Sequence, residues 1–108
     1  MLDIRPEQID AFQRSLNERL AAVLAPKIRV ACGRETAALD DAALIGVLTE
    51  RMAVAQHLGF TRDRDIKAFL TLTFIVSPSF YERDPFSGIL ADTTIPPSRQ
   101  IALMLDEV

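Results

Sequence analysis

Three stretches in which apolar residues recur every three or four positions, each closed by proline or glycine, leave this chain little alternative to helices. In the first, Pro6 stands as a first-turn residue and Ile9, Phe12, Leu16, Leu20, Val23 and Leu24 follow at helical spacing. They predict an amphipathic helix that Pro26 stops, because an interior proline removes a hydrogen bond and clashes with the preceding turn. In the second, Asp40 or Asp41 caps a helix running to Leu58, with Gly59 where a left-handed C-cap is wanted. At about 100° per residue, Leu44, Ile45, Val47, Leu48, Met52, Val54, Ala55 and Leu58 cover an arc about 180° wide, so this helix is expected to be buried on more than one side. In the third, Thr61 is expected to cap a helix whose first turn, Arg62 to Asp65, is charged and whose remainder, Ile66 to Val76, is apolar almost all round.

Shorter elements fill the rest. Lys27 to Cys32 alternates like a strand but also suits one or two helical turns ended by Gly33, and helix is preferred because a lone strand has nothing to pair with. Leu70 to Phe74 alternates too, yet the spacing of Ile66, Phe69, Leu70, Thr73 and Phe74 favours a central helix. Ser77-Pro78 ends that helix, and Ser79 to Asp84 reads as a loop holding Phe80 and Tyr81. Pro85 opens a short helix through Leu90, and Pro96-Pro97 a last one through Leu105. The expected fold is all-α: one domain over residues 1–108, a compact bundle of three main helices plus two or three short ones. Five of the six phenylalanines lie between residues 60 and 86, which places the core around the third helix and the loop after it.

Composition bounds the function. With 49% apolar and 25% charged residues, the 108-residue chain can bury a real core. Its mean hydropathy of +0.17 is high for a small domain, so some apolar surface is expected to face outwards, where a partner can cover it. A net charge of -3 has the wrong sign for affinity built on phosphate neutralisation, so nucleic acid is not an expected partner. The two halves of that balance are unequal: residues 1–76 carry ten basic and ten acidic side chains, residues 77–108 two and five. Cys32 is the sole cysteine, so neither an intrachain disulfide nor a cysteine-built zinc site is available, which suits a reducing cytoplasm. Asp3 and Glu7 stand where a secretory signal would be basic, and the longest apolar stretch, Ala68 to Val76, is about half of what spans a bilayer. Neither a leader nor a membrane span is expected.

The groups that carry chemistry are sparse. His57 is the only histidine; it falls away from the apolar arc near a helix C-terminus, where partial positive charge is favourable, rather than beside a nucleophile. Cys32 has no base arranged beside it and reads as a small buried hydrophobe. The acid pairs Asp40-Asp41 and Asp63 with Asp65 stand in helix first turns, where the helix dipole accounts for them. Four glycines, none in a phosphate loop, give no nucleotide signature. The turn Leu58-Gly59-Phe60-Thr61 resembles a helix-turn-helix bend, but the helix after it turns apolar beyond Lys67 and belongs in a core. No enzyme, cofactor or metal is expected.

Arg51 is the residue that folding alone explains least. On the wheel it lies within about 40° of Leu44, Ala55 and Leu58, where an unpaired guanidinium is costly. Either it snorkels or pairs with an acid of its own chain such as Asp84 or Asp92, or it anchors a partner, a role arginine favours. The segment Phe80-Tyr81-Glu82-Arg83-Asp84-Pro85-Phe86 poses the same choice: its aromatics lid the core or form a binding edge. Arg51, Phe80, Tyr81, Arg83, Asp84 and Phe86 are therefore the candidate partner-binding residues.

Taken together, Ile4-Arg5-Pro6-Glu7-Gln8, the turn Leu58-Gly59-Phe60-Thr61-Arg62-Asp63-Arg64-Asp65-Ile66, and Asp84-Pro85-Phe86 to Ile89-Leu90 resemble a group of small helical proteins of Gram-negative bacteria. Their genes lie beside type VI secretion effector genes, near spike proteins and effector-loading adaptors. The resemblance covers most of the chain in element order, through structural punctuation rather than catalytic signatures. It implies a cytoplasmic accessory role, a co-adaptor or chaperone that binds an effector or its adaptor. The alternatives are an immunity protein that blocks a toxin and a structural helical protein that self-associates. The resemblance carries over no catalytic residues.

Overall fold

The computed structural model describes residues 6–108, and side chains from residue 10 onwards. The expectations that rest on Ile4, Arg5 and the side chain of Ile9 lie outside the described residues. Within them the chain is all-α, with no strand: α1 (Pro6–Ala31), α2 (Gly33–Thr36), α3 (Asp41–His57), α4 (Asp63–Ile75), one 3₁₀ turn (Phe80–Glu82), α5 (Phe86–Ala91) and α6 (Pro97–Asp106). The three main helices are the three that the periodicity predicts.

Helix α1 departs from expectation twice. It runs straight past Pro26 to Ala31. Pro26 and Ala22, whose carbonyl loses its donor there, are both exposed, so water can satisfy that carbonyl. Continuing the helix buries Ile28 and brings Cys32 inside, both with no exposed surface, and that burial outweighs the lost bond. The buried face is also not the expected one. Asn17, Ala21, Leu24, Ala25 and Ile28 face inward, whereas Phe12, Leu16 and Val23 are 66%, 41% and 60% exposed. Among the described side chains of the predicted stripe, only Leu24 is buried, with Leu20 partly so.

The α1–α3 pair is held by polar contacts as well as by packing. Asn17 and Gln56 exchange two amide hydrogen bonds, each 2.9 Å, and Gln13 donates a third to the Asn17 carbonyl oxygen at 3.0 Å. At the other end, Arg29 donates to the backbone carbonyls of Thr36 and Leu39 at 3.1 and 2.7 Å and to Asp41 at 3.0 Å. One side chain thus ties down the whole connection between the two helices.

Of the two aspartates that the sequence offers as caps for helix α3, the structure uses Asp40, whose carboxylate accepts from the Ala43 N–H at 2.7 Å. It ends at Gly59, whose φ of 102° is the left-handed conformation that glycine adopts without strain. Helix α4 begins one residue later than expected, with Arg62 rather than Thr61 at the N-cap and no side-chain capping bond. Its Asp65 is buried and accepts from Ser98 at 2.7 Å, joining the start of α4 to the start of α6. Around Phe69 gather Phe60, Phe80 and Tyr81, at ring-centroid distances of 5.7, 5.1 and 5.8 Å, and Phe86 stands edge-on to Phe80 at 5.3 Å. The core therefore centres on α4 and the turn after it, as the phenylalanine distribution predicts. Buried Gln100 of α6 donates to the carbonyls of Ile89, Leu90 and Asp92, closing the end of α5.

Candidate functional site: the Arg51 notch

Arg51 projects from the middle of α3 toward the end of α4. Its Nη1 donates to Thr73 Oγ1 at 3.0 Å and, more weakly, to the Thr73 carbonyl at 3.4 Å, while its Cζ lies 4.4 Å from the centroid of the Phe74 ring. The Thr73 hydroxyl in turn donates to the Leu70 carbonyl at 2.6 Å. The guanidinium is thus held in one place by a hydrogen bond on one edge and a cation–π contact on one face. Among the described residues it has no carboxylate partner. The two acids named as examples of an intrachain partner bond elsewhere: Asp84 accepts from Ser87, and Asp92 from Thr94. Half-burial pulls its pKa below the ordinary arginine value, and neighbouring Glu50 opposes that pull.

Beside it opens a notch of about 190 Å³ lined by Glu50, Arg51, Val54, Pro78 and Tyr81. Glu50 and Val54 come from α3, where positions three and four apart share a face. Pro78 and Tyr81 come from the turn after α4. Tyr81 is set by its core neighbours: its ring stacks on Phe69 at 29° and meets Phe80 nearly edge-on at 85°. The result is a small socket with apolar walls from Val54, Pro78 and Tyr81 and two charged side chains of opposite sign, Glu50 and Arg51, along its lining. Ligand pockets run to roughly 300–1,000 Å³, so this one is the size of a single side chain rather than of a cofactor.

Of the six candidate partner-binding residues, the structure brings Arg51 and Tyr81 to one site. Phe80 and Phe86 are corrected: at 0% and 6% exposure they belong to the core and lid it from within. Arg83 and Asp84 are exposed and do not line the notch; Asp84 instead anchors the start of α5 through its bond from Ser87 at 2.7 Å. Phe74 and Thr73, which hold Arg51, and Pro78, which walls the notch, were not foreseen, because only packing of α3 on α4 brings them near. Val54 was legible in principle, three positions after Arg51 on the same helix.

The residues that carry chemistry elsewhere stand apart. His57 is exposed at the end of α3, and Cys32 is fully buried, its thiol pushed above the ordinary value by desolvation and then by Glu35. Among the described residues no three His, Cys, Asp or Glu side chains gather as metal ligands, and no helix is long and apolar enough to cross a membrane. A larger groove of about 450 Å³ runs between α1 and α3, but the amides of Gln13, Asn17 and Gln56 that line it are bonded to one another. Comparison with protein-family models, with curated proteins and with solved structures finds no match to this chain.

Proposed function

We propose that this protein is a non-catalytic protein-binding accessory that receives an acidic, partly apolar side-chain cluster of its partner at the Arg51 notch. One observation carries the reading: a half-buried guanidinium fixed by Thr73 and Phe74, in ion-pair contact with no carboxylate among the described residues although Glu50 lines the same socket, at the rim of a side-chain-sized cavity walled by Tyr81. A partner carboxylate supplies what Arg51 lacks. Because the side chain is already immobilised, docking costs little further rotamer entropy. Arginine and tyrosine are also the residue types that dominate interface energetics. Following the resemblance in the sequence, the partner class is a type VI secretion effector or its adaptor, bound in the cytoplasm.

The test is affinity capture from native cells with wild-type and Arg51→Ala baits, followed by titration of the recovered partner. An effector or adaptor held by wild type and weakened by about 2 kcal/mol in Arg51→Ala, some 30-fold, supports the reading. Equal binding by a folded Arg51→Ala protein removes the notch, and recovery of a toxin domain blocked in its activity replaces the accessory role by immunity.

A further inference from the structure

The outer face of α1 is apolar without covering anything. Phe12, Leu16, Val23 and Val30 are 66%, 41%, 60% and 89% exposed. They stand four, seven and seven residues apart in the chain, which places them within about 40° of one another on the helix wheel and roughly 150° from the buried face. Single exposed apolar residues are ordinary, but four aligned along about 27 Å of one helix face, with Arg19 between Leu16 and Val23 and Lys27 between Val23 and Val30, are not. Leu16, Val23 and Val30 recur every seven residues, as do the residues at one of the two seam positions of paired helices, while Arg19 and Pro26 stand at the companion position.

Charge decides what that other helix is. The stripe is flanked on one side by Arg19 and on the other by Lys27, both exposed. The carboxylates of the described part of α1 lie on other faces: Asp10 lines the groove toward α3, and Glu18 pairs with Arg14 at 3.5 Å. A second copy of α1 laid antiparallel would place two Arg19 and two Lys27 along one seam with no acid between them, a like-charge arrangement that works against pairing. An amphipathic helix with acidic flanks meets both the apolar stripe and the two cations. We infer that the outer face of α1 is a docking surface for an acidic amphipathic helix of a partner protein, with Phe12, Leu16, Val23 and Val30 as the seam and Arg19 and Lys27 as the charge selectors. No residue of this face lines the Arg51 notch, so the two sites are independent and one molecule can hold two segments at once.

The experiment uses the full chain and a synthetic helical peptide of about four heptads carrying Leu at a and d and Glu at e and g, whose like charges keep it from pairing with itself. A second peptide has Lys in place of every Glu. Micromolar binding of the acidic peptide, at least tenfold tighter than the basic one and weakened by salt, is expected. Leu16→Asp with Val23→Asp should abolish it, and Arg19→Glu with Lys27→Glu should invert the preference between peptides. All four positions are exposed, so the thermal transition of the variants should match wild type, while Arg51→Ala should bind the peptide normally. Absence of binding up to about 1 mM, equal binding of both peptides, or binding untouched by the seam variants overturns the inference. So does a wild-type dimer in sedimentation equilibrium that Leu16→Asp dissociates, since the occupant is then a second copy. Attachment to vesicles of phosphatidylserine and phosphatidylcholine that the seam variants abolish, without peptide binding, assigns the face to lipid instead.

Discussion

Asp92 accepts from both the hydroxyl and the backbone N–H of Thr94 in the exposed turn that leads into α6. Those two bonds, the side-chain one first, hold its carboxyl below the ordinary aspartate value. A carboxyl depressed in the folded state contributes stability that is present above its unfolded pKa, near 3.9, and is lost as the pH falls through the folded value. Replacing Thr94 by Ala removes the larger cause. The variant should therefore lose stability at neutral pH relative to wild type and converge on it under strong acid, which thermal melts from pH 7 down to pH 2 would reveal. A constant difference across that range would mean that Thr94 acts by packing alone. Arg51 teaches a related lesson at the same scale. Its position inside an apolar arc was legible as an anomaly, yet what holds it is a threonine hydroxyl and a phenylalanine face, neither of which was among the alternatives that the sequence offered. A wheel records which residues share a face of one helix, and Thr73 and Phe74 belong to another.

Among the elements, α1 offers the clearest tests. Proline inside a helix costs roughly 3 kcal/mol, and the constraint it places on the unfolded chain returns less than about 1. Pro26→Ala should then stabilise the protein by roughly 2 kcal/mol in urea denaturation; no gain, or a loss, would mean that the proline ring makes compensating contacts. The Asn17–Gln56 pair carries the opposite sign. Gln56→Ala strands the buried Asn17 amide and should cost about 1–3 kcal/mol, Asn17→Ala leaves the half-buried Gln56 within reach of water and should cost less, and the double variant should cost less than their sum. Strict additivity in that cycle would show the two amides to be energetically independent. Helix α1 is also where sequence reading chose the wrong face. Phe12, Leu16 and Val23 form one stripe, while Ala21, Leu24, Ala25 and Ile28 form another in which alanines alternate with larger residues, and pattern favours the first. The structure buries Ala21, Leu24, Ala25 and Ile28 instead. Small side chains such as Ala21 and Ala25 let the backbones of α1 and α3 approach closely, which a row of Phe12, Leu16 and Val23 would prevent.

For the molecule as a whole, stability is concentrated around one ring. Phe69 is fully buried and touches three other aromatic rings spread over the loop before α4 and the turn after it. Phe69→Ala should cost about 3–5 kcal/mol through lost burial and the cavity left behind. Against a total of roughly 5–15 kcal/mol, that should lower the melting temperature by well over 10 °C or abolish the cooperative transition. A drop of only a few degrees would show that the cluster relaxes to fill the space. The Arg51 notch is built on the same cluster through Tyr81, so Phe69→Ala should weaken partner binding even where it folds. The sequence by itself determined the all-α class, the three long helices, an aspartate cap at Asp40 or Asp41, the Gly59 turn and the aromatic centre of the core. Each of these follows from local periodicity, capping chemistry or backbone freedom, which act over a few residues. Only the tertiary structure decided which face of α1 is buried, that α1 continues through Pro26, that Phe80 and Phe86 turn inward, and what stands beside Arg51. Those outcomes depend on how closely α1 and α3 approach and on which end of α4 meets α3, and such contacts join residues that lie far apart in the chain.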